Sequence, residues 1–463
     1  MNIPSIYPAA AGRFQSFTRL TALGLLLLLA SLSRLEAQSF WRKNDRNTFI
    51  RNIQFNFNIP SARAVGLGGA FVAIADDATA GMANPAGLTI LTKPEISVHY
   101  KLNHFSHDEH VGTRDEPNLR KEFHNDVGSQ SYLSLVYPYG KYSFSLYRQE
   151  LINFESAFNA PGFGDVFREQ DLDPAGFEFG NRTSSDIQIN NWGAALAYEP
   201  LPGLSVGFSS IVSTLEFRFS EELFQQGPVQ EGKKDKVFAV SSNSSDMRYS
   251  LNLGVKYEPE SWLSVGAVYR SGPRFRIANT IEDFDVDQTG KTAILQARQN
   301  LVFKVPDVYG AGLACRPLNN LTLSLDVVRI EYSDLIKELD RNLNEDDVAV
   351  KLDKFPYSGY VDGDGIEDLV LKDGTEVHFG AEYYLVIDQW ILPVRAGVFT
   401  DPLHAVYTTV NDEAFRRLFP RGKNEVHGTL GFGFVLLNKI QLDAAVNFSR
   451  SVTETLLSAV FRF

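Results

Sequence analysis

The strongest constraint on the fold of this chain is a series of short segments, from about residue 94 to residue 463, in which apolar and polar side chains alternate. In one of them Leu321, Leu323 and Leu325 alternate with Thr322 and Ser324. A period of two places the apolar side chains on one face of a β-strand. Fourteen such segments follow one another up to the C-terminal aromatic residue, so the sequence predicts an antiparallel, all-β protein.

The connectors between these segments alternate in length. Short connectors, rich in turn-forming residues, occupy residues 138–141, 199–203, 258–261, 316–320, 387–389 and 437–439. Long polar connectors occupy about residues 105–128, 152–184, 220–245, 279–299, 334–373 and 402–423. Outer-membrane barrels have short periplasmic turns and longer external loops. The pattern therefore predicts a 14-stranded antiparallel transmembrane β-barrel over residues 93–463, with both termini on the periplasmic side.

Aromatic and charged residues support a membrane barrel over a soluble, secreted all-β protein. Tyrosine and tryptophan lie beside the short connectors, as a periplasmic girdle requires: Tyr137, Tyr142, Tyr198, Tyr257, Trp262 and Trp390. Lys256 and Asp326 occur on the polar faces of their segments. A charged side chain facing lipid costs roughly 2–4 kcal/mol at mid-membrane. We therefore expect the polar faces to line the lumen.

The N-terminus has the features of a signal peptide. Arg13 and Arg19 precede an apolar run over residues 20–32, and Ala37 is a small residue at a plausible cleavage point. The run is shorter than the roughly 20 apolar residues of a membrane helix. Cleavage after residue 37 removes three arginines and one glutamate, so the formal charge of −12 becomes −14. An acidic mature chain argues against nucleic-acid binding.

Residues 38–92, which lie before the first predicted strand, form a separate segment. Between residues 61 and 91 it is too rich in glycine and alanine for a strand, and Asn84-Pro85 predicts a turn. Small residues allow a segment to pack tightly inside a tube. The sequence therefore predicts an N-terminal hatch that plugs the lumen.

The chain resembles the FadL/TodX/OmpP1 group of outer-membrane transporters of long-chain fatty acids and other hydrophobic compounds. The resemblance rests on Gly66-Leu67-Gly69-Ala70, Ala75-Asp76-Asp77, Asn84-Pro85-Ala86-Gly87, Val305-Pro306-Asp307 and His378-Phe379-Gly380-Ala381-Glu382-Tyr383. It covers essentially all of the mature chain and implies a 14-stranded barrel closed by a hatch. The hatch positions that it implies are Gly66, Gly69, Phe71, Asp76, Asp77, Asn84, Pro85 and Ala86.

The resemblance also implies a function. External loops would capture a hydrophobic molecule, which would pass to a site in the barrel and leave sideways through an opening in the wall. No cofactor is implied, and we expect a monomer in the outer membrane of a Gram-negative bacterium. The fatty acid and the aromatic hydrocarbon remain alternative cargoes. Candidate capture residues in the long connectors are Phe154, Phe158, Phe163, Phe167, Phe415 and Phe419.

Other functions are weaker alternatives. Relatives with this architecture act as barrel scaffolds for a protein-secretion system, so a docking role is the main alternative to transport. A lipid hydrolase is disfavoured because the chain lacks a Gly-x-Ser-x-Gly motif and its strand histidines have no nearby serine in a recognisable pattern. His104, His107 and His110 suggest a metal site only weakly. Asp362, Asp364 and Asp368 form a weak calcium candidate that lacks the closing glutamate of an EF-hand.

Overall fold

The computed structural model of the chain describes residues 57, 59–110, 120–160, 178–226, 235–286, 292–335, 369–388, 390–404, 407–409, 421–450 and 452–463. Its strand segments, numbered in chain order, are β1 Glu95–His110, β2 Arg120–Tyr139, β3 Tyr142–Ala160, β4 Glu178–Leu201, β5 Leu204–Gln226, β6 Asp235–Glu260, β7 Leu263–Arg270, β8 Arg274–Val286, β9 Thr292–Lys304, β10 Val308–Leu318, β11 Leu321–Ile330, β12 Leu369–Val370, β13 Gly374–Ile387, β14 Trp390–Asp401, β15 Tyr407–Thr408, β16 Glu425–Leu436, β17 Ile440–Phe448 and β18 Val452–Arg462.

Sixteen of these segments form one closed antiparallel sheet. Segments β1 to β6 pair in chain order, and β6 pairs with both β7 and β8. β7 then pairs with β10 and β8 with β9. From β10 the order β11, β13, β14, β16, β17 and β18 follows, and β18 pairs with β1, which closes the ring. The segments β7 and β8 follow one another with a break at residues 271–273, and β9 and β10 with a break at residues 305–307. Each pair therefore counts as one wall strand, which gives the predicted closed barrel of 14 strands. The remaining two, β12 and β15, pair only with each other.

The two faces of the wall have the predicted polarity near the short turns. On β6, Leu253 and Val255 are 44% and 46% exposed, whereas the intervening Asn252 and Lys256 are buried. Apolar side chains that are exposed on the outer face match a lipid environment, and the polar row faces the lumen. The prediction that charged residues such as Lys256 and Asp326 point inward is confirmed.

Several strands are longer than the sequence pattern predicted. Predicted connectors 152–184 and 220–245 are partly occupied by β3, β4, β5 and β6, which reach Ala160, Glu178, Gln226 and Asp235. The polar composition of these stretches was the reason for interpreting them as loops. Beyond the membrane, however, a strand may carry polar side chains on its outer face because that face meets water. Composition therefore does not mark the end of a strand there.

The described residues before the first strand contain only short helices. These are α1 Ala62–Gly66, α2 Ala80–Ala83 and a 3₁₀ helix over Pro85–Ile90. The described part of the chain has no helix that is long and apolar enough to cross a membrane. All described residues belong to one compact unit, Asp45–Phe463.

Candidate functional site in the barrel lumen

Residues 59–91, which we call the lumen segment, lie inside the barrel. Almost all of them are buried, and their main chain bonds to inward side chains from strands all round the ring. These bonds include Ala62 N to Ser458 Oγ (2.8 Å), Val72 N to Asp326 Oδ2 (2.7 Å), Ser264 Oγ to Ala73 O (2.7 Å), Ser209 Oγ to Gly81 O (2.6 Å) and Asn252 Nδ2 to Met82 O (2.7 Å). Their wall partners lie in the half of the barrel near the short turns.

Asn84 joins two stretches of the lumen segment to each other and to the wall. Its Nδ2 donates to Val72 O at 2.9 Å and to Val255 O at 3.1 Å. Its Oδ1 accepts from Ala86 N at 3.2 Å and so caps the 3₁₀ helix that begins at Pro85. Each polar atom of this buried amide is therefore paired, as burial demands. The Asn-Pro-Ala motif thus fixes the path of the chain across the lumen.

Glycines allow the lumen segment to approach the wall. A Cβ at Gly207 would lie 2.3 Å from Ala86 N, and a Cβ at Gly397 would lie 2.2 Å from Gly68 N. Both distances are far below van der Waals contact, so larger residues cannot occupy these positions without displacing the segment. Gly68 and Gly69 also have φ values of +62° and +77°, which favour glycine. Main-chain contact with the wall therefore explains the glycine content.

A buried ionic network anchors the first half of the lumen segment. Arg63 donates from Nε and Nη2 to the two Glu382 oxygens, both at 2.9 Å, and also pairs with Asp76. Glu382 receives a second arginine, Arg395 Nε at 2.7 Å, and Arg395 Nη1 donates to Asp443 Oδ1 at 2.7 Å. Bidentate, charge-assisted pairs are the strongest hydrogen bonds in proteins. The network ties α1 to β13, β14 and β17.

The two acidic residues of the lumen segment have different roles. Burial disfavours the charge of Asp76, but Arg63, together with Lys256 and Arg316, outweighs that effect and holds the pKa of its carboxyl below the usual value. Burial raises the pKa of Asp77, which accepts from Thr79 N at 2.8 Å and from Thr79 Oγ1. Asp76 is thus an ion-pair partner, and Asp77 caps the turn before α2. Phe71, another implied hatch position, is buried beneath the guanidinium of Arg63.

A second region of the lumen, towards the long connectors, is apolar. Side chains from β3, β4, β5 and β8–β11 and from the residues after β11 form one buried cluster, which we call the apolar cluster: Leu151, Ile152, Ile187, Ile189, Leu215, Phe217, Phe219, Phe275, Ile277, Phe303, Val305, Val308, Ile330, Tyr332, Leu335 and Leu371. Phe57, Phe154 and Val328 pack against it. An enclosed apolar surface of this kind is typical of a site for hydrophobic molecules.

The predicted capture residues are only partly tested by this geometry. Phe154 lies on β3 rather than in a loop, and it packs against the apolar cluster. Phe158 is also on β3, but its side chain is outside the described residues, as are Phe163, Phe167, Phe415 and Phe419. The calcium candidates Asp362, Asp364 and Asp368 lie outside them too. Of the apolar cluster, Ile152, Leu335 and Leu371 lie in stretches that were predicted to be long connectors. Its other members were not singled out, because they come together only when the strands pair.

A serine–histidine contact was also missed. Ser458 Oγ lies 2.7 Å from His99 Nδ1, a contact that no sequence pattern indicated. The two residues are 359 positions apart and meet only because β1 pairs with β18. Ser458 Oγ also accepts from Ala62 N, and both side chains are buried. The pair therefore attaches α1 to the wall.

The described residues offer one acidic group close enough to hold a metal ion, formed by Asp307, Glu331 and Asp334. The ammonium of Lys304 already lies 3.3 Å from Asp307 Oδ1 and pairs with Asp334. This cation already neutralises part of the negative charge of the acidic group. The loop histidines give no described group of three ligands: His104 lies on β1 and pairs with Asp126.

The wall itself is interrupted beside the apolar cluster. The main-chain ladder joins β6 to β8 at Phe238–Ser242 and β6 to β7 from Asn252 onwards. Between these ladders β6 side chains take over part of the bonding: Ser244 Oγ accepts from Ala278 N (2.9 Å), Asp246 Oδ2 from Arg276 N (2.6 Å), and Arg248 Nε donates to Arg274 O (2.8 Å). We call this region the seam.

A 14-stranded barrel with an apolar outer band and an occupied lumen defines an outer-membrane protein of the transporter type. The family model for "Outer membrane protein transport protein (OMPP1/FadL/TodX)" matches residues 55–457. The chain therefore belongs to this family of outer-membrane transport proteins, as the hatch motifs suggested. No curated protein sequence matches the chain significantly.

Solved structures of similar fold agree with the family. A FadL homologue of Pseudomonas aeruginosa has 15% identity and a TM-score of 0.59, covering 89% of this chain and 99% of that one. The toluene transporter TbuX of Ralstonia pickettii has 14% identity and a TM-score of 0.53, covering 88% and 100%. The monoaromatic hydrocarbon channel CymD has 15% identity and a TM-score of 0.55, covering 89% and 99%. At these identities the likeness is one of fold.

Proposed function

We propose that this protein carries hydrophobic molecules passively across the outer membrane, with the lumen segment as a plug. The observation that supports this most strongly is the apolar cluster, which is enclosed in the barrel on the external side of the lumen segment. A water-filled porin needs a polar interior, and a docking scaffold needs no apolar interior at all. An enclosed apolar cluster beside an occupied lumen fits a conduit for apolar cargo.

The route has three parts. The cargo enters from the side of the long connectors, where Phe154 borders the apolar cluster. It rests among residues such as Leu215 and Phe217, away from water. It then leaves sideways through the seam, because Phe275 and Ile277 of the cluster lie on the β8 side of that interruption.

The outer surface of the seam suits such an exit. Tyr249 and Met247 on β6 are 78% and 56% exposed there, so the seam opens beside apolar and aromatic surface. A wall joined by side chains opens with fewer main-chain bonds broken than a continuous ladder. A hydrophobic molecule that leaves here enters the membrane without crossing the polar lumen. No energy source is required if the concentration gradient drives the flow.

Deletion of residues 61–88 tests the plug. In planar bilayers we expect the deletion variant to show a higher conductance than the full-length barrel, because the segment no longer occupies the lumen. Retention of the folded barrel is checked by heat-modifiable mobility in gel electrophoresis. Unchanged conductance of a folded variant would show that the segment does not close the barrel. Native mass spectrometry of hydrophobic molecules bound to the intact protein tests the cargo class independently.

A further inference from the structure

Residues 67–72 of the lumen segment, which we call the wall turn, lie directly against the main chain of β13 and β14. A Cβ at Gly380 on β13 would lie 2.4 Å from Leu67 O, and a Cβ at Gly397 on β14 would lie 2.2 Å from Gly68 N. At such distances the turn and the wall touch through their main chains. Side chains that bond to the turn at this point therefore control how closely it is held.

His378 on β13 makes such a bond. Its Nδ1 lies 2.7 Å from Gly68 O, and its Nε2 lies 3.0 Å from Glu376 Oε2. A carbonyl oxygen and an ionised carboxylate oxygen can only accept hydrogen bonds, and a neutral imidazole carries a single N–H. To form both bonds, His378 and Glu376 must therefore share one additional proton, on the imidazole or on the carboxyl.

Stacked rings hold the imidazole in this orientation. His378 stacks on Phe399 of β14 with ring centroids 5.1 Å apart, and the other ring contact of Phe399 is with His427 of β16, at 4.4 Å. The two residues that share the proton, His378 and Glu376, are only 3% and 8% exposed. A hydrogen bond that is lost at such a site is not readily replaced by one to water.

A second bond from the wall holds the other end of the wall turn. Asp326 on β11 is the Cα partner of His378, and its Oδ2 accepts from Val72 N at 2.7 Å. Among the described residues, further ionisable groups lie around this site on the other elements: Arg270 on β7, Tyr332 after β11, Asp401 on β14, His404 after β14 and His427 on β16. The wall turn is thus bound at Gly68 by a proton-sharing pair and at Val72 by a carboxylate.

We propose that His378 is a positioning residue of the plug, which holds the wall turn against the barrel only while it shares a proton with Glu376. This inference rests on the proposed function, in which the lumen segment is the plug. When the proton is lost at high pH, one N–H remains for two acceptor oxygens, so one of the two bonds is lost. The wall turn is therefore held tightly at low pH and loosely at high pH. Arg63 stays charged throughout this range, so α1 keeps its anchor.

Hydrogen exchange of the full-length protein in dodecyl maltoside at pH 6 and pH 9 tests this device. After correction for the intrinsic rate, we expect peptides that cover the wall turn to exchange roughly 10-fold or more faster at pH 9, because a hydrogen bond to a charged group is lost. Peptides that cover residues 62–66 should exchange equally at the two pH values. The conductance of the barrel in planar bilayers should be higher at pH 9 than at pH 6.

Two variants replace the shared proton by a donor that does not titrate. In His378→Asn the amide nitrogen can donate to Gly68 O, and in Glu376→Gln the amide can donate to His378 Nε2, which leaves Nδ1–H for Gly68 O. In both variants we expect slow exchange of the wall turn at pH 6 and pH 9 alike. The matched control is His404→Gln, which removes another histidine–carboxylate pair, with Asp401 at 3.1 Å. This control should keep the pH response of the wall turn.

The outcomes separate this inference from the proposed function. Equal corrected exchange of the wall turn at the two pH values in the wild type overturns it. A pH response that persists in both His378→Asn and Glu376→Gln also overturns it, because the response then belongs to other groups such as Asp326. If one of these variants does not fold, the other decides. A pH response of exchange without a change in conductance would contradict the plug, which the deletion of residues 61–88 tests separately, and would leave the role of His378 in place.

Discussion

The two halves of the lumen are built from opposite chemistries, and strand β5 shows the change within one element. Near its short turn, the inward side chains Ser205, Ser209 and Ser213 are polar, and Val206 and Phe208 are exposed on the outside. Further along, Leu215, Phe217 and Phe219 are buried inside, while Glu216 and Arg218 form an ion pair on the outside. The amphipathic pattern therefore reverses along the strand.

The reversal follows from the surroundings of the wall. In the membrane, lipid requires an apolar outer face, so polar residues can only point inward, where the lumen segment supplies partners for them. Outside the membrane, water covers the outer face, and the apolar residues turn inward to form the apolar cluster. One half of the lumen thus holds a segment in place by hydrogen bonds and ion pairs, and the other half offers apolar surface to a cargo.

Removal of Glu382 should produce the largest effect on stability. The variant Glu382→Gln leaves Arg63 and Arg395 without their shared carboxylate. Removal of one partner of a buried ion pair typically lowers the free energy of unfolding by roughly 3–5 kcal/mol. We expect a lower thermal unfolding midpoint in detergent and a raised conductance, because the lumen segment loses its anchor. The control Glu216→Gln breaks an exposed ion pair on the outer face of β5. An exposed ion pair typically contributes roughly 0–1 kcal/mol to the free energy of unfolding. Equal effects of the two substitutions would refute the contrast between the halves.

A polar substitution in the apolar cluster should weaken binding of the cargo and leave the lumen segment in place. Ile187 is fully buried in the apolar cluster. Burial of an isoleucine side chain is worth roughly 1.5–3 kcal/mol, so Ile187→Asn should weaken binding of a hydrophobic ligand by roughly 10-fold or more. Bilayer conductance should stay at the wild-type level. The exposed neighbour Asp186, changed to Asn, provides the control on the outer face. A conductance increase in Ile187→Asn with unchanged binding would contradict the assignment.

The smallest expected effect concerns an ion pair that lies beside the apolar cluster. His404 stacks on Tyr332 of the apolar cluster and lies 3.1 Å from Asp401. Burial disfavours its charge, but Asp401 outweighs burial and raises the pKa of His404 from 6.5 to about 9. Its stabilising contribution is therefore fully present below about pH 6.5 and is lost as the pH rises through about 9.

Hydrogen exchange at residues 402–404 and 407–409 measures this contribution. We expect faster exchange at pH 10 than at pH 6 after correction for the intrinsic rate. In His404→Gln the difference should disappear, while residues 62–66 of the lumen segment show no change. Identical corrected rates in the wild type at the two pH values would contradict the role of the ion pair.

Part of this architecture could be predicted from residue order because its causes are local. Side-chain alternation and turn residues act over a few positions, and they predicted the number of strands and the short turns correctly. The hatch motifs placed Asn84 in a turn before the barrel, and the structure shows why that amide is needed. The strand ends on the external side were wrong, because polar residues are compatible with either a loop or a strand whose outer face meets water.

The contacts that build the candidate site could not be read from the sequence. Arg63 and Glu382 are 319 residues apart, and Ser458 and His99 are 359 apart. Such pairs depend on closure of the ring and on the path of the lumen segment across it.

The sequence by itself determined a membrane barrel of 14 strands with a small-residue segment ahead of it. The physical reason is that lipid and strand geometry act on each residue through its immediate surroundings. Only the tertiary structure decided which inward residues meet, because closure of the barrel brings opposite ends of the chain together. That closure places the ionic anchor in one half of the lumen and the apolar cluster in the other.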